Sequence, residues 1–441
     1  VKSPYSRHDC GTSPLMSLPF CIKNKQFPQP RYNFVAKALL QLVVVTFFYI
    51  IPSNIKAQQI APGVDDVDTT NKRDLIDVFK STFKYKPEKI RSRGKKKIYF
   101  SLVPTSSAVP GGGKALITST SASFYLGSRR NTFLSTVTFV PYLNFNGRYS
   151  LGFRNNIYTN KNKWNIQGDT RFSLYPEYVY RTNRNNKIND KILITYKYIR
   201  FYQTVLKQIR PYLLVGMGYN LDYHINLQPV DDTLGLAKFL GYSHGTETNK
   251  NSFSSGITLH LLYDSRNNSQ NPLPGAYLNF IYRVNPYFLG NGSNTWKSVY
   301  IDGRKYIDLH GPRREVLALW SYVWTALNNN VPYLDLPGIG YEPYQRSGRG
   351  IEQNRYRGKS LVYLEGEYRK DLRDDGLLGY VLFTNMTFAS GPGRAGFTGP
   401  HPAIGAGLRV KFNKLSNTNI AIEFGISRGH SAVTLNLGEA F

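Results

Sequence analysis

Two short patterns in the chain are of kinds that serve catalysis or nucleotide binding in other proteins. Residues 241–245 read Gly-Tyr-Ser-His-Gly, which matches the G-x-S-x-G pattern of a serine nucleophile. That pattern functions on a sharp turn between a strand and a helix, whereas here it lies in a polar stretch with no helical pattern after it. Residues 111–114, Gly-Gly-Gly-Lys, resemble a phosphate loop but lack its first glycine and the Ser or Thr after the lysine. We interpret them as a flexible lead into the first strand, and neither pattern predicts an enzyme.

The histidines and cysteines do not form a metal-binding pattern. The seven histidines are scattered, without the paired spacing that zinc ligands require. The two cysteines, Cys10 and Cys21, both lie in a part of the chain that we expect to be removed, so we predict no disulfide and no thiolate site. The sequence therefore predicts a protein with no catalytic residues, no metal site and no cofactor.

The charge is strongly positive, with 56 basic and 28 acidic residues and a net charge of +28. Residues 1–57 hold seven basic residues and one acidic residue, so the rest of the chain carries +22. No arginine-rich tail and no nucleic-acid motif is present, and we predict no nucleic-acid partner. The basic residues recur on the polar positions of alternating segments, as at Arg154, Arg369, Arg409 and Lys411. This spread predicts a basic barrel lumen with basic rims.

The first 57 residues have the order of a secretory signal. An apolar run of fourteen residues, 38–51, follows four basic residues and precedes a small residue, Ala57. A permanent membrane anchor is the alternative, but a spanning helix needs about 20 apolar residues. We predict a signal region at 1–57, whose residues before Met16 look like an over-extended start, and a short periplasmic segment at 58–96.

The mature chain is therefore expected to begin near Gln58. Sequencing the N-terminus of protein purified from native membranes checks this expectation. Recovery of an intact segment 38–51 would contradict it.

From about residue 115 the chain repeats one sequence pattern. About ten residues alternate between apolar and polar, and a turn then follows. In residues 404–412 the even positions are apolar, while Arg409 and Lys411 occupy odd positions. Side chains alternate between the two faces of a strand, so each segment has one apolar and one polar face. A soluble β-sandwich has the same period. The signal region and the absence of helical patterns between the segments favour a closed transmembrane barrel, which leaves no unpaired edge in the bilayer.

We therefore predict an all-β fold, a transmembrane antiparallel β-barrel of about sixteen strands that occupies residues 97–441 in the bacterial outer membrane. The predicted strands are 115–126, 131–142, 146–158, 164–176, 189–204, 209–224, 252–264, 275–285, 295–308, 313–327, 333–340, 360–371, 376–389, 402–413, 417–427 and 431–441.

Two segments carry more distinctive motifs. The first is a strand, a turn and a strand at 263–278, with five ordered residues: Asp264, Arg266, Asn271, Pro272 and Gly275. The second, at 348–358, contains an Arg-Gly pair, and the strand after it carries Glu365 and Glu367 before Tyr-Arg. Phe383-Thr384-Asn385 and the terminal aromatic Phe441 complete the set.

In this order the motifs resemble the barrel of the BamA/TamA-type outer-membrane assembly family, also called the bacterial surface antigen family. The resemblance covers about residues 100–441 and implies sixteen strands, a midpoint hairpin, a loop folded into the barrel, and Phe441 as a C-terminal strand signal. The sequence departs from the family pattern at four places: Gly348, Ile351, Asn385 and Glu439, which is unusual two places before a terminal aromatic. Family members that assemble other proteins also carry periplasmic repeat domains of about 75 residues, which residues 58–96 are too short to contain.

The inward loop needs an anchor, because a guanidinium in a confined lumen needs partners for its donors. Alternation places Glu365 and Glu367 on the lumen face of the strand that follows Arg349 and Gly350. The family resemblance implies Glu367 as the closer partner, with Phe383 and Asn385 nearby. A solvent-exposed loop arginine is the alternative. We expect Arg346, in the same loop, to contribute little to this anchoring.

The resemblance implies a non-enzymatic barrel that assists insertion or translocation of outer-membrane proteins. Its expected partners are outer-membrane lipids including lipopolysaccharide, unfolded outer-membrane proteins as clients, and a periplasmic protein or lipoprotein that supplies the missing domains. Two alternatives remain open, namely a passive or gated solute pore with a basic lumen, and a structural surface antigen. A weak seam between the first and last strands would favour assembly, and an open lumen would favour transport.

Overall fold

The computed structural model describes residues 71–83, 98–109, 113–128, 131–144, 149–181, 190–230, 235–266, 271–272, 274–290, 294–311, 313–343, 345–393, 396–414 and 417–441. The predicted signal region, 1–57, lies outside these residues, and of the predicted periplasmic segment only residues 71–83 are included. In the described part of the chain no helix is long and apolar enough to cross a membrane.

In the described residues, sixteen strands form one antiparallel sheet in which every strand pairs with its neighbours in chain order. The strands are β1 (Ile98–Val109), β2 (Gly113–Phe124), β3 (Ser135–Asn144), β4 (Tyr149–Tyr158), β5 (Trp164–Tyr180), β6 (Lys191–Arg210), β7 (Leu213–Pro229), β8 (Ser252–Asp264), β9 (Gly275–Asn285), β10 (Trp296–Asp308), β11 (Glu315–Ala326), β12 (Ser360–Asp371), β13 (Leu378–Ser390), β14 (Phe397–Asn413), β15 (Thr418–Ser427) and β16 (His430–Leu437). The first and last strands approach each other, which brings the two edges of the sheet together.

The predicted fold class and the count of sixteen strands are confirmed, but one strand was not predicted and one predicted strand is wrong. The sequence reading missed β1, because Pro104 and the glycines after it indicated a loop. Proline is tolerated on an edge strand, and β1 is the first edge of the ladder. Residues 333–340, predicted as a strand, form a short 3-10 turn and a loop, and their apolar side chains are buried inside the barrel. The two errors cancel in the count.

The two faces of the sheet have opposite chemistry. On β14 the outward side chains are apolar and exposed, with Ile404 59% and Leu408 61% accessible, while the inward Arg409 and Lys411 are buried. On β15 the outward Ile422 and Phe424 are likewise exposed. A soluble β-sandwich buries its apolar face and exposes its polar face, so this inverted arrangement favours a membrane barrel over the sandwich alternative.

The two long connections, residues 230–251 and 327–359, lie at one end of the barrel. The connections at the opposite end are two to ten residues long. Outer-membrane barrels have short periplasmic turns and longer extracellular loops, which assigns the long-loop end to the exterior and the short-turn end to the periplasm. Helix α1 (Leu75–Thr82) lies at the short-turn end, beside the β14–β15 turn.

The long connections form a lid. Helix α2 (Leu236–Leu240) in the first of them packs with residues of the second in one buried apolar cluster. The hydroxyl of Tyr242 donates to the carbonyls of Asn329 (2.8 Å) and Val331 (2.5 Å), which ties the two connections together. The Gly-Tyr-Ser-His-Gly pattern therefore belongs to this lid, where Gly241 ends α2 in the left-handed region.

Candidate functional site

The connection between β11 and β12 folds into the barrel, and its backbone is well organised. The amide of Ile339 donates to the carbonyl of Tyr356, and the amide of Asn354 donates back to Ile339. Gly348 and Gly350 have φ angles of 82° and 81°, which glycine adopts without strain. These turns aim the side chain between them, Arg349, at the barrel wall.

Arg349 is buried against three carboxylates. Its Nε donates to Glu365 at 2.8 Å, and Nη2 donates to the same carboxylate. Its Nη1 lies 2.7 Å from Glu367 and donates to Glu423 at 2.9 Å. Burial disfavours the charge, but the three carboxylates outweigh it and raise the pKa of Arg349 well above its ordinary value. The guanidinium is therefore permanently charged and joins β12 to β15 through the loop.

The other two predicted neighbours surround the same group. The ring of Phe383 lies 3.8 Å from the guanidinium carbon, a cation–π contact. Asn385 donates to the carbonyl of Arg349 at 2.9 Å. Thus the structure brings Arg349, Glu365, Glu367, Phe383 and Asn385 into one site, and the anchoring role of that site remains a prediction.

Small residues on the inner wall make room for the loop. A Cβ atom on Gly425 of β15 would lie 2.8 Å from the amide nitrogen of Gly350, and a Cβ on Gly350 would lie 2.7 Å from the backbone of β15. One strand earlier, a Cβ on Gly405 would lie 2.2 Å from the Phe383 ring. The loop backbone therefore sits directly on the strand, where Ser427 donates to the Gly350 carbonyl at 2.6 Å.

The charge network extends beyond the predicted residues. Arg409 of β14 donates to Glu423 at 2.6 Å and to Glu439 at 2.9 Å. Arg369 pairs with Glu367. Sequence reasoning missed Glu423 and Glu439 as site residues. Alternation does place Glu423 on the polar face of its strand, but only the curvature of the wall brings it to Arg349.

The lumen is less basic than the sequence predicted. Among the described residues, nine basic and eight acidic side chains are buried within the barrel: Arg171, Arg200, Arg283, Arg304, Arg349, Arg357, Arg369, Arg409 and Lys411, with Glu177, Asp222, Asp302, Glu342, Glu365, Glu367, Glu423 and Glu439. The net charge of this set is close to zero, because cations and carboxylates share the polar faces of the strands.

A second arginine organises the loop from within. The Nη1 of Arg357 donates to the carbonyls of Leu334 (2.6 Å), Leu336 (3.1 Å) and Tyr333 (3.3 Å), and Nε donates to Asn354. A planar guanidinium can satisfy several carbonyls that the barrel leaves without strand partners. This role could not be predicted from the sequence, because every residue has a backbone carbonyl and residue type does not show which carbonyls lack a partner.

The midpoint hairpin forms the β8–β9 turn at the short-turn end. Arg266 and Asp264 make a close ion pair with two hydrogen bonds, of 2.8 and 2.9 Å. Asn271 is fully buried and donates to the carbonyl of Asn417 in the β14–β15 turn at 3.2 Å. Pro272 accepts from Arg314, and Gly275 has a φ of 144° where β9 begins. This motif therefore connects turns that are far apart in the chain and does not contact Arg349 in the described structure.

Phe441 was predicted to close the last strand, but β16 ends at Leu437. The chain then turns at Gly438, with a φ of 87°, and residues 438–441 enter the lumen. Glu439 accepts from Arg409, and Phe441 packs with its ring centre 5.1 Å from that of Trp320. Burial opposes ionisation of Glu439, but the neighbouring arginines lower its pKa below the ordinary value. The role of Phe441 as a strand signal remains a prediction.

Arg346, expected to be neutral, also belongs to this region. Its Nη1 donates to the carbonyl of Glu439, so the loop and the inward tail are in direct contact. Across the described residues, this region included, no group of three or more His, Cys, Asp or Glu side chains is placed to hold a metal ion.

We compared the sequence and the fold with those of known proteins. No protein-family model matches the sequence, and no curated protein matches it. The similar solved structures include BamA from Haemophilus ducreyi lacking POTRA domains 1-3 (12% identity, TM-score 0.49), CdiB from Acinetobacter baumannii (12%, 0.48) and CdiB from Escherichia coli (11%, 0.51). Each match covers 78% of this chain, and the chain spans 69%, 58% and 62% of those proteins, respectively.

The fold is thus that of a sixteen-stranded β-barrel, as in CdiB from Escherichia coli. At 11% identity this likeness defines the architecture and leaves the activity to be argued from the site.

Proposed function

We propose that this protein is an outer-membrane barrel of the BamA/TamA type, without enzymatic activity, that assists insertion or translocation of other outer-membrane proteins. The observation that carries the proposal is the inward loop, which Arg349 and Gly350 join to β12 and β15 beside the last strand. Three of the motifs that first suggested the family meet in this site, namely the Arg-Gly pair, Glu365 with Glu367, and Phe383-Thr384-Asn385, whereas the midpoint hairpin lies at the short-turn end.

The seam between the first and last strands supports the same function. β16 has eight residues, paired to β15, whereas β6 has twenty. Beyond β16 the chain leaves the wall and residues 439–441 are buried, and among the described residues β1 and β16 are not paired as neighbours in the sheet. A short terminal strand gives a seam with few hydrogen bonds, where a client strand would add to the exposed edge.

We infer that a separate periplasmic protein or lipoprotein works with this barrel. In the family that this chain resembles, members that assemble other proteins carry periplasmic repeat domains, and the described residues that precede β1, 71–83, contain the helix α1. A client would therefore be presented to the seam by the partner. Co-purification from native membranes, followed by identification of the bound proteins, tests this inference.

The proposed activity is measured by reconstitution. We expect the barrel in liposomes to speed the folding of a urea-unfolded outer-membrane protein, followed by the change in its heat-modifiable gel mobility. Liposomes without protein and liposomes with Arg349→Ala are the comparisons, and we expect the variant to be slower than the native barrel. Equal client folding in all three preparations, with no outer-membrane protein co-purifying, would contradict the proposal.

A solute pore is the second candidate, favoured by a polar cavity between the inward loop and the opposite wall. Its lining includes Arg171, Arg200, Arg283, Asp222 and His224. The lid packs against the wall residues Val179, Ile194 and Trp296 at the outer end, so we expect little conductance from the resting barrel in planar bilayers. We expect anion preference in any open state, because the cavity lining holds three arginines against two carboxylates, Asp222 and Asp335, although the buried lumen charge as a whole is close to zero. A steadily open or cation-selective channel would count against both expectations.

A further inference from the structure

Helix α1 is fixed to the short-turn rim through its polar side. Asp74 and Asp77 form a capping box, in which the Asp77 amide donates to the Asp74 carboxylate at 2.8 Å. The second oxygen of Asp74 accepts from the amide of Lys414 at 3.0 Å, and the Lys414 ammonium lies 2.7 Å from Asp77. Burial acts to raise the pKa of Asp77, but Lys414 outweighs it and lowers that pKa below the ordinary value. The acidic side of α1 therefore faces the barrel.

The residues just before the helix are also hydrogen-bonded to the barrel. The amide of Arg73 donates to the carbonyl of Asp375 at 3.0 Å, and Lys72 donates to the carbonyl of Asp374 at 3.2 Å. Both carbonyls belong to the β12–β13 turn. Because two different turns hold the start of α1, the helix has a fixed orientation at the rim.

The side of α1 turned away from these contacts is apolar. Ile76, Phe79 and Phe83 follow each other at spacings of three and four residues, which places them on one face of the helix. Phe79 is 64% and Phe83 is 67% exposed, and their ring centres are 4.4 Å apart. A soluble protein normally turns such a face toward its own core. Here the polar face binds the protein and the aromatic face is presented outward.

Basic residues beside the apolar face of α1 indicate the kind of surface that the face contacts. Lys72, Arg73 and Lys80 are exposed on or beside α1. The next fourteen residues of the sequence, 84–97, contain eight basic residues and one acidic residue. Aromatic side chains flanked by basic residues are typical of helices that lie in the interface of an anionic membrane. The neighbouring turn also presents an exposed leucine, Leu372.

We propose that α1 is an interfacial anchor, whose Ile76, Phe79 and Phe83 lie among anionic phospholipids of the periplasmic leaflet around the barrel. The apolar face supplies contact with the acyl boundary, and the basic residues supply attraction to the headgroups. The anchor holds the rim at the β12–β13 and β14–β15 turns against the bilayer. This proposal requires a membrane-spanning barrel and is independent of the activity proposed above.

The test places an environment-sensitive NBD label at Phe79→Cys in the full chain with Cys10 and Cys21 replaced by serine. The barrel is reconstituted in nanodiscs of phosphatidylcholine and phosphatidylglycerol that contain nitroxide-labelled lipid. Ser81→Cys is the matched control, because Ser81 is exposed on a different face of the same helix. We expect nitroxide quenching to be roughly twofold or more stronger at position 79 than at 81, because only the apolar face enters the interface.

Three outcomes decide the proposal. Weaker quenching at position 79 when phosphatidylglycerol is omitted, or at high salt, supports the anionic surface. Equal quenching at both positions overturns the proposal. Quenching at neither position, with position 79 shielded only in native membranes, also overturns it and assigns the face to a protein partner. Heat-modifiable mobility of both labelled proteins confirms that each barrel is folded.

Discussion

Replacing Arg349 by alanine is expected to release the inward loop and to destabilise the barrel by about 3–5 kcal/mol, because a buried ion pair has then lost one partner. The guanidinium of Arg349 contacts three carboxylates that are almost fully buried, Glu365, Glu367 and Glu423. In the variant Glu367 and Glu423 keep Arg369 and Arg409 as partners, but Glu365 loses its arginine partner and stays buried. The measurement is the temperature of the heat-modifiable gel shift, together with protease cleavage between residues 327 and 359.

Two further variants make this prediction specific. Arg349→Lys keeps the charge but loses the planar fork and the contact with Phe383, so we expect intermediate stability. Arg428→Ala, in the exposed β15–β16 turn, should behave as the native protein. Arg346→Ala is unsuitable as a control, since Arg346 donates to the tail. If Arg349→Ala and Arg428→Ala melted at the same temperature and were cleaved equally, Arg349 would have no anchoring role.

Sequence periodicity predicted the barrel because each strand alternates between lipid and lumen at fixed spacing. Residues 404–412 show this well, and the structure pairs them as expected. Periodicity gave a wrong prediction where apolar residues are buried inside the barrel without forming a strand of its wall. The apolar residues of 333–340 are buried between the lid and the loop. A short apolar run does not show whether it is buried as a strand or as a loop. β1 was missed for the opposite reason, since Pro104 on an edge strand resembles a loop.

The site was partly predictable for a similar reason. Glu365 and Glu367 immediately follow the loop in the chain, so alternation alone placed them on the lumen face. Glu423 lies on a strand three positions away in the sheet, and Glu439 lies beyond the last strand. Their meeting with Arg349 depends on the curvature of the wall and on the turn at Gly438, neither of which residue spacing encodes.

The glycines opposite the loop lead to the second large effect. Gly425→Val is expected to dislodge the inward loop, because even the first carbon of a side chain would lie 2.8 Å from the amide nitrogen of Gly350. The nearest atoms are backbone atoms of Gly350 and Arg349, so no flexible side chain can move away to make room. Overpacking of a tight contact costs about 1–3 kcal/mol, and loss of the Arg349 ion pairs would add to this.

Gly425 is the more informative of the two glycines in this contact. Gly350 has a φ of 81°, so a substitution there mixes backbone strain with steric overlap, whereas Gly425 lies within a regular strand. The effect of Gly425→Ala on stability should therefore come from steric overlap with the loop and not from backbone strain. Gly425→Val should have a larger effect, because its side chain is larger. The control is Gly366→Ala on β12, where the added carbon meets only Leu319, at an ordinary 3.8 Å. We expect protease cleavage between residues 327 and 359 and the melting temperature to change in the order Gly366→Ala, Gly425→Ala, Gly425→Val. A Gly425→Val barrel whose loop stays protected would mean that the loop does not rest on β15, and the anchor would then have to hold the loop through Arg349 alone.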